Sequence, residues 1–109
     1  MDAAANMESP RDVVRVFAAL SDGNRYRVVE LLCADGAELS CGTIARVLGL
    51  SPSLLSHHLG VLVDAGIIER RRDGFWTLNR LKRDELARRL AGLHRLMTPA
   101  VSADGDGSC

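Results

Sequence analysis

The sequence predicts a mainly α-helical domain with one small β-hairpin, an α+β arrangement of five helices and two strands. Two observations support this fold class. Apolar residues recur at helical spacing over most of residues 10–98. The spacing changes to a strand pattern only on the two sides of Asp73-Gly74. The length of 109 residues suits one such domain, so we expect residues 1–9 and 99–109 to be flexible tails.

The first two helices are predicted from apolar spacing and from the polar segment that separates them. The first begins near Pro10, and its apolar face consists of Val13, Val14, Phe17 and Leu20. Residues 21–24 end it and offer caps to the second helix. The second runs from about residue 25 to residue 34, and its apolar stripe consists of Val28, Val29, Leu31 and Leu32.

The third and fourth helices are separated by a tight turn. Ser40 is the predicted N-cap of the third helix, which ends at Gly49. Its inward residues are predicted to be Ile44, Val47 and Leu48. Ser51 is the predicted N-cap of the fourth helix, where Pro52 suits the first position. The buried face of the fourth helix is predicted to be Leu55, Leu59, Leu62 and Val63.

A hairpin and a long helix complete the domain. Asp73-Gly74 predicts a two-residue turn, because both turn positions need positive φ. Trp76 and Leu78 point the same way along the second strand and are predicted to cover the core. The last helix is predicted from Lys82 to Met97, with one apolar face formed by Leu86, Leu90, Leu93 and Met97.

Composition and charge exclude several classes of protein. Hydrophobic residues make up 47% of the chain and the formal net charge is zero, so wholesale disorder and a uniformly basic coat protein are excluded. No apolar run reaches the roughly 18 to 20 residues that cross a bilayer, and the first ten residues lack a signal-peptide pattern. We therefore expect a cytoplasmic protein with no membrane partner. Residues 69–95 nevertheless carry nine basic and four acidic side chains, which predicts a local phosphate-binding face. A solvated helix surface is the alternative.

The order of the predicted elements is that of a winged helix–turn–helix domain, in which the fourth helix reads DNA and the hairpin is the wing. The fourth helix is about 14 residues long and spans roughly 20 Å, which fits a major groove. Its predicted base-reading face is small and polar, and consists of Ser53, Ser56, His57 and Gly60. Further DNA contacts are predicted for Arg46, Arg70, Arg71 and Arg72. A bland polar helix face and a charged edge that prevents strand aggregation are the alternatives.

Residues 38–81 resemble the DNA-binding core of the ArsR/SmtB family of small bacterial regulators. The shared motifs are LGLS at 48–51, SHHL at 56–59, AGII at 65–68 and RRDGF at 71–75, with ALSDGNR at 19–25 upstream. The resemblance covers about residues 11–97. It implies a homodimer built from the first and last helices, and repression at a promoter that an inducer relieves. One departure is Pro52, which stands where the family often has Gln, so that contact is lost. His58 is predicted to be a buried hydrogen-bonding histidine, with DNA contact as the alternative.

The apolar faces of the first and last helices also favour a dimer on physical grounds. A body of about 85 residues has a thin core, and these faces would leave a large apolar patch on a monomer. The predicted interface residues are Val13, Phe17, Leu86, Leu90, Leu93 and Met97. The alternative is that one of the two faces closes the monomer. A two-fold dimer would place its recognition helices about 34 Å apart, which predicts an inverted-repeat operator.

The metal sites that the resemblance implies are not intact in this chain. The thiolate motif ELCVC corresponds to residues 38–42, which keep a cysteine only at the intervening position, Cys41. The Asp-x-His motif corresponds to Asp84 and Leu86, and His94 lacks a histidine partner. Cys33, Cys41 and Cys109 stay as candidates for a soft-metal or thiol-oxidation sensor, and the alternative for the first two is a packing role. No cofactor is predicted, and a soft or transition metal ion is left open as effector.

The leading hypothesis is a homodimeric repressor that binds double-stranded promoter DNA in a sequence-specific manner. A DNA-binding activator without direct metal sensing and a winged-helix module that binds another protein are the alternatives. We expect no enzymatic activity, because the chain has no Gly-rich phosphate loop and no convincing pairing of an acid with a base. Ser56 and His57 are not such a pair, since neighbouring helical residues diverge by about 100°.

Overall fold

The computed structural model describes residues 10–35 and 38–98, and the two predicted tails lie outside these ranges. Within the described ranges five helices and three short strands follow one another along the chain. They are α1 (Pro10–Leu20), α2 (Gly23–Asp35), β1 (Leu39–Ser40), α3 (Cys41–Leu48), α4 (Pro52–Asp64), β2 (Ile68–Asp73), β3 (Trp76–Leu81) and α5 (Arg83–Met97). In the described part of the chain, no helix combines the length and the apolar character needed to cross a membrane.

The core lies between α1, α2, α3 and α4 and the base of the β2–β3 hairpin. Its buried apolar residues are Val16, Ala19, Val28, Val29, Leu32, Ile44, Leu55, Leu59, Leu62, Ala65, Ile67 and Ile68. The predicted buried face of α4 is confirmed for its three leucines, and Val63 is half-buried beside them. The inward face of α3 is confirmed at Ile44, but the prediction for Val47 is wrong because its side chain is 54% exposed.

The predicted caps of α3 and α4 are confirmed. The hydroxyl of Ser40 accepts a hydrogen bond from the backbone N–H of Thr43, and that of Ser51 accepts one from Leu54. Gly49 ends α3 with a φ of 70°, a left-handed conformation that glycine adopts without strain. These caps separate the two helices by three residues and fix the angle at which α4 leaves the body.

The strands form one antiparallel sheet in the order β1-β3-β2. The pair of β1 with β3 joins Leu39 to Asn79 and Ser40 to Leu78. Strand β1 was not predicted, because two residues are too few to show a period. We call the β2–β3 hairpin the wing.

The turn of the wing differs from its prediction by one residue. Asp73 pairs with Trp76, so the two central residues of the turn are Gly74 and Phe75. Gly74 has a φ of 64°, and no other residue type in the described ranges has positive φ. Positive φ at the first central position alone is the pattern of a type II′ turn, which needs glycine there and leaves the next position unrestricted.

The prediction that Trp76 covers the core is wrong, because its side chain is 60% exposed. Leu78, two residues closer to the body, is half-buried. The register explains the difference, because Trp76 and Leu78 lie on the face of the wing that is opposite to the buried Asn79. Trp76 instead lines an open cavity of about 480 Å³ beside Thr43 and Arg46 of α3.

Candidate nucleic-acid interface

Helix α4 presents one polar stripe to solvent, formed by Ser53, Ser56, His57 and Gly60. The first three are exposed and Gly60 is half-buried. Successive members of this set are three, one and three residues apart, which places them on one side of the helix. The opposite side is held in the core, so the structure brings these four predicted residues together on a free face.

His58 fixes the rotation of α4 about its axis. It is 4% exposed, and its Nδ1 lies 3.2 Å from Nη1 of Arg25 on α2. A guanidinium only donates hydrogen bonds, so Nδ1 must accept and the proton of the neutral ring sits on Nε2. That nitrogen is 3.9 Å from Oδ1 of Asp22. The prediction of a buried hydrogen-bonding histidine is therefore confirmed.

The junction between α1 and α2 supplies the partners of His58. Oδ1 of Asp22 accepts hydrogen bonds from the backbone N–H groups of Asn24 and Arg25, at 2.8 and 3.2 Å. These bonds, that from Arg25 foremost, hold the pKa of Asp22 below its usual value. Nε of Arg25 also donates to the carbonyl of Ala19 at 2.6 Å. The segment that ends α1 thus orients α4 as well.

The three wing arginines do not lie on one face. In the β2–β3 register Arg70 pairs with Asn79 and Arg72 with Thr77, whereas Arg71 pairs with Leu78. Directly paired residues of an antiparallel sheet share a face, and neighbours along a strand alternate. Arg70 and Arg72 therefore lie on one face of the wing, and Arg71 lies on the other.

The face that carries Arg70 and Arg72 is turned toward α4. A cavity of about 330 Å³ is lined on one side by Arg70 and Thr77 and on the other by Pro52, Leu55 and Ser56. The beginning of α4 and this face of the wing are thus the two walls of one cleft.

Asn79 ties the wing to the body. It is fully buried, and its Oδ1 accepts a hydrogen bond from Nε of Arg70 at 3.1 Å. Its Nδ2 lies 3.1 Å from the carbonyl of Leu39 and 3.4 Å from Sγ of Cys41. One amide therefore connects the wing with β1 and with the start of α3.

Arg71 is held by an acidic partner. Its Nε donates to Oε2 of Glu38 at 2.8 Å and its Nη2 to Oε1 at 2.7 Å, a two-pronged ion pair. The hydrogen bonds from Arg71 hold the pKa of Glu38 below its usual value, and the same pair raises the pKa of Arg71. Arg80, on the same face of the wing, pairs with Glu69. Arg72 is exposed, and within the described ranges no acceptor reaches its guanidinium.

Acid is expected to break the pair between Arg71 and Glu38. Because the folded state lowers the pKa of Glu38, ionised Glu38 stabilises the fold above its unfolded value of 4.5. That contribution is lost as the pH falls through the lowered pKa. Thermal unfolding of wild type and Glu38→Gln should therefore show a gap in Tm at neutral pH that closes below about pH 4.

A matched control for this titration is Glu30→Gln, which changes an exposed carboxylate on α2. Its Tm should follow that of wild type more closely across the whole range than the Tm of Glu38→Gln does. A Glu38→Gln gap that is absent at pH 7, or that is unchanged at pH 3, would show that the pair does not stabilise the fold.

A groove between α1 and α5 gathers part of the predicted dimer face. It has a volume of about 560 Å³, and its apolar lining includes Val13, Val14, Phe17, Leu93 and Leu96. Val14 is 62% exposed and Phe17 43% exposed, because α1 turns Val16 and Ala19 to the core instead. The other predicted interface residues lie outside the groove: Leu86 packs against the core of its own chain, and Leu90 and Met97 are exposed.

The cysteine candidates are not gathered into a metal site. In the described ranges no group of three or more His, Cys, Asp or Glu residues is placed to hold a metal ion. Cys33 is exposed near the end of α2, and Cys41 is half-buried at the start of α3. The two are not joined by a disulfide. Cys109 lies outside the described residues.

Sequence reasoning missed Asn79, Glu38 and the pairing of Asp22 and Arg25 with His58. Asn79 follows the alternation of a strand and looks like a solvent-facing residue. Glu38 lies 33 residues from Arg71, and nothing in one sequence connects the two. The motif at 19–25 was the available signal for Asp22 and Arg25, but it did not indicate their partner.

Comparisons with known proteins agree with this architecture. Residues 20–71 match the model of a family described as a helix-turn-helix domain. The transcriptional repressor SdpR of Bacillus subtilis is 36% identical over 67 residues, which are 59% of this chain and 72% of that protein. A homolog of the cadmium resistance regulatory protein CadC from Staphylococcus aureus is 37% identical over 67 residues, 62% of this chain. The chain spans only 54% of the length of that homolog.

A solved structure supports the same assignment. It is the solution NMR structure of a homodimeric winged helix–turn–helix DNA-binding domain from Mycobacterium bovis, a possible ArsR-family regulator. It is 28% identical to this chain with a TM-score of 0.65, and the match covers 83% of this chain and 87% of that domain. The chain therefore belongs to the ArsR family of winged helix–turn–helix transcriptional regulators.

Proposed function

We propose that this protein is a homodimeric transcriptional repressor that acts in the cytoplasm by binding an inverted-repeat operator in promoter DNA. One observation carries the proposal. The polar stripe of α4 is free while the opposite face of the helix is buried, and the start of α4 faces the side of the wing that holds Arg70 and Arg72. Helix α4 and the cationic face of the wing therefore lie side by side, so one DNA duplex can contact both.

The polar stripe fits the floor of a major groove. Ser53, Ser56 and His57 offer hydroxyl and imidazole groups to base edges, and Gly60 lets the helix approach closely. Helix α4 has 13 residues and is about 20 Å long, so about four turns are available to the groove.

The wing supplies contacts to the DNA backbone. Arg72, exposed and on the α4 side, is the main phosphate or minor-groove contact in this proposal, with Arg70 behind it. Arg46 is exposed in the last turn of α3 and contacts a flanking phosphate. Arg71 has a different role, because its ion pair with Glu38 holds the wing at a fixed angle to the body.

The groove between α1 and α5 supports a dimer. A second copy of the chain would cover Val14, Phe17 and Leu96, which are 62%, 43% and 83% exposed in one protomer. The solved domain from Mycobacterium bovis is homodimeric. A two-fold axis through α1 and α5 would present two α4 helices to one side of a duplex.

The effector we propose is a thiophilic ion or oxidant that reacts at Cys41. Sγ of Cys41 shares Asn79 with Arg70, so a change at the thiol reaches the wing through one side chain. We expect Cd(II) or As(III) to weaken DNA binding by the reduced protein, and Cys41→Ser to remove the response. Cys33→Ser is the control, because Cys33 is an exposed thiol on α2, whereas Asn79 contacts Cys41. An equal response of wild type and Cys41→Ser would exclude this effector site.

Selection of bound sequences from a pool of random duplexes tests the proposed function. Wild-type protein should enrich an imperfect inverted repeat whose half-sites are about 10 base pairs apart from centre to centre. Enrichment of a single asymmetric site would contradict the dimer. No enrichment at modest ionic strength would contradict DNA reading and favour the protein-binding alternative.

A further inference from the structure

The aromatic side chain of Phe75 lies exposed at the tip of the wing. Phe75 is 97% exposed, and it occupies the second central position of the turn. A phenylalanine ring buries a large apolar area when it finds a partner, so full exposure on a stable hairpin is costly in water. Neither the core nor the groove between α1 and α5 uses this ring. The tip therefore carries an apolar group that the functions described above do not employ.

The surroundings of Phe75 point to a polyanion. Arg72 lies three residues before it, exposed, on the face of the wing that is turned toward α4. Asp73 is the acidic residue next to the turn, and its register with Trp76 places it on the opposite face with Arg71. On the α4 side, the ring is thus flanked by a cation and not by an acid.

The wing is built to hold its tip in place. Each of its strands has six residues, and the register is continuous from Ile68–Leu81 at the base to Asp73–Trp76 at the turn. Two anchors fix its base, the Asn79 amide and the ion pair between Arg71 and Glu38. A ring on such a ribbon loses little further freedom when it enters a binding partner.

We propose that Phe75 enters the minor groove next to each half-site and wedges its ring partly between two base pairs, which bends the duplex. Apolar side chains that enter from the minor groove part a base step and kink the DNA toward the major groove. An arginine beside the ring is attracted to a narrow minor groove and guides the tip there. This proposal rests on the proposed function, because α4 must first dock in the major groove.

The chain offers an intrinsic reporter for the event. Trp76 follows Phe75 directly, is 60% exposed and is the one tryptophan of the sequence. Docking of the tip in a groove should therefore change the emission of Trp76 in step with binding.

The deciding experiment places 2-aminopurine at successive steps of a duplex that wild-type protein has selected from a random pool. Fluorescence of this base analogue rises when its stack opens. Wild type should raise it at one step on each flank of the inverted repeat and bend the duplex in a circular-permutation assay. Phe75→Ala should lose both signals and bind about tenfold more weakly, since loss of an aromatic–base stack has that order of effect. Phe75→Leu, which keeps an apolar wedge, should keep the bend.

The outcomes distinguish a failure of the wedge proposal from a failure of the proposed function. Failure of wild type to select any duplex overturns both. Selection and tight binding by wild type, with no 2-aminopurine signal and with an unchanged bend in Phe75→Ala, overturns the wedge alone. A change of oligomeric mass in Phe75→Ala would place the ring in a protein interface and also overturn the wedge. Equal Tm values for the variants and wild type confirm that the fold is retained, as the exposure of Phe75 leads us to expect.

Discussion

Phe17→Glu is expected to turn the protein into a monomer and to reduce its affinity for an inverted-repeat duplex by at least about a hundredfold. Phe17 lines the groove between α1 and α5 and is 43% exposed in one protomer. A carboxylate at this position stays hydrated in the monomer but would lose that hydration in the dimer. Two half-sites held by one dimer gain a large effective concentration, and a monomer loses it.

Ala18→Glu is the matched control, because it adds the same charge to the next residue of α1. Ala18 is exposed and lies on the side of α1 near Arg15 and Arg25, away from the groove. Sedimentation equilibrium should give a dimer for wild type and Ala18→Glu and a monomer for Phe17→Glu. Fluorescence anisotropy should give Ala18→Glu an affinity for the duplex close to that of wild type, and Phe17→Glu a lower one. A dimeric Phe17→Glu protein, or a monomeric one that binds as tightly as wild type, would show that the interface lies elsewhere.

Arg72→Ala is expected to weaken DNA binding by about tenfold and to reduce the slope of log affinity against log salt by about one. Arg72 is exposed on the α4 side of the wing and has no acceptor within the described ranges, so its charge is available to a phosphate. Arg71 carries the same charge one residue away but is already paired with Glu38 on the other face.

Arg71→Ala is therefore the control for Arg72→Ala. Anisotropy titrations of a selected duplex at several salt concentrations should give Arg71→Ala a slope close to that of wild type and a smaller loss of affinity. Its Tm should fall instead, since Glu38 loses its partner. If Arg71→Ala and Arg72→Ala have equal slopes of log affinity against log salt, the claim that Arg72, and not Arg71, contacts the DNA is wrong.

Much of the fold follows from periodicity and from caps. The α4 stripe of leucines, the serine caps and Gly49 are local signals, and each acts within a few residues of itself. The spacing of the leucines in α4 also predicts which residues lie on the opposite side, so the polar stripe followed from the same local signal. The basic character of the wing was equally visible in its composition.

The remaining features depend on where separate segments meet. The predicted apolar face of α1 was incomplete because that helix has two apolar faces, and the core takes Val16 and Ala19. Trp76 is apolar, but strand alternation does not indicate which face of the wing is turned toward the core, and the structure places the buried Asn79 on the other face. Strand alternation separates Arg71 from Arg72, but the pairing of Arg71 with an acid required the position of Glu38. None of these follows from spacing alone.

Footprinting with dimethyl sulfate tests the central claim most directly, since this reagent methylates guanine N7 in the major groove and adenine N3 in the minor groove. With the wild-type protein on a selected duplex, we expect guanine N7 protection at the centre of both half-sites, where α4 docks. Adenine N3 protection should appear on the flanks, beneath the two wings. Protection of neither groove, or protection that Arg72→Ala and Ser56→Ala leave unchanged, would contradict the proposal that α4 and the wing read DNA together.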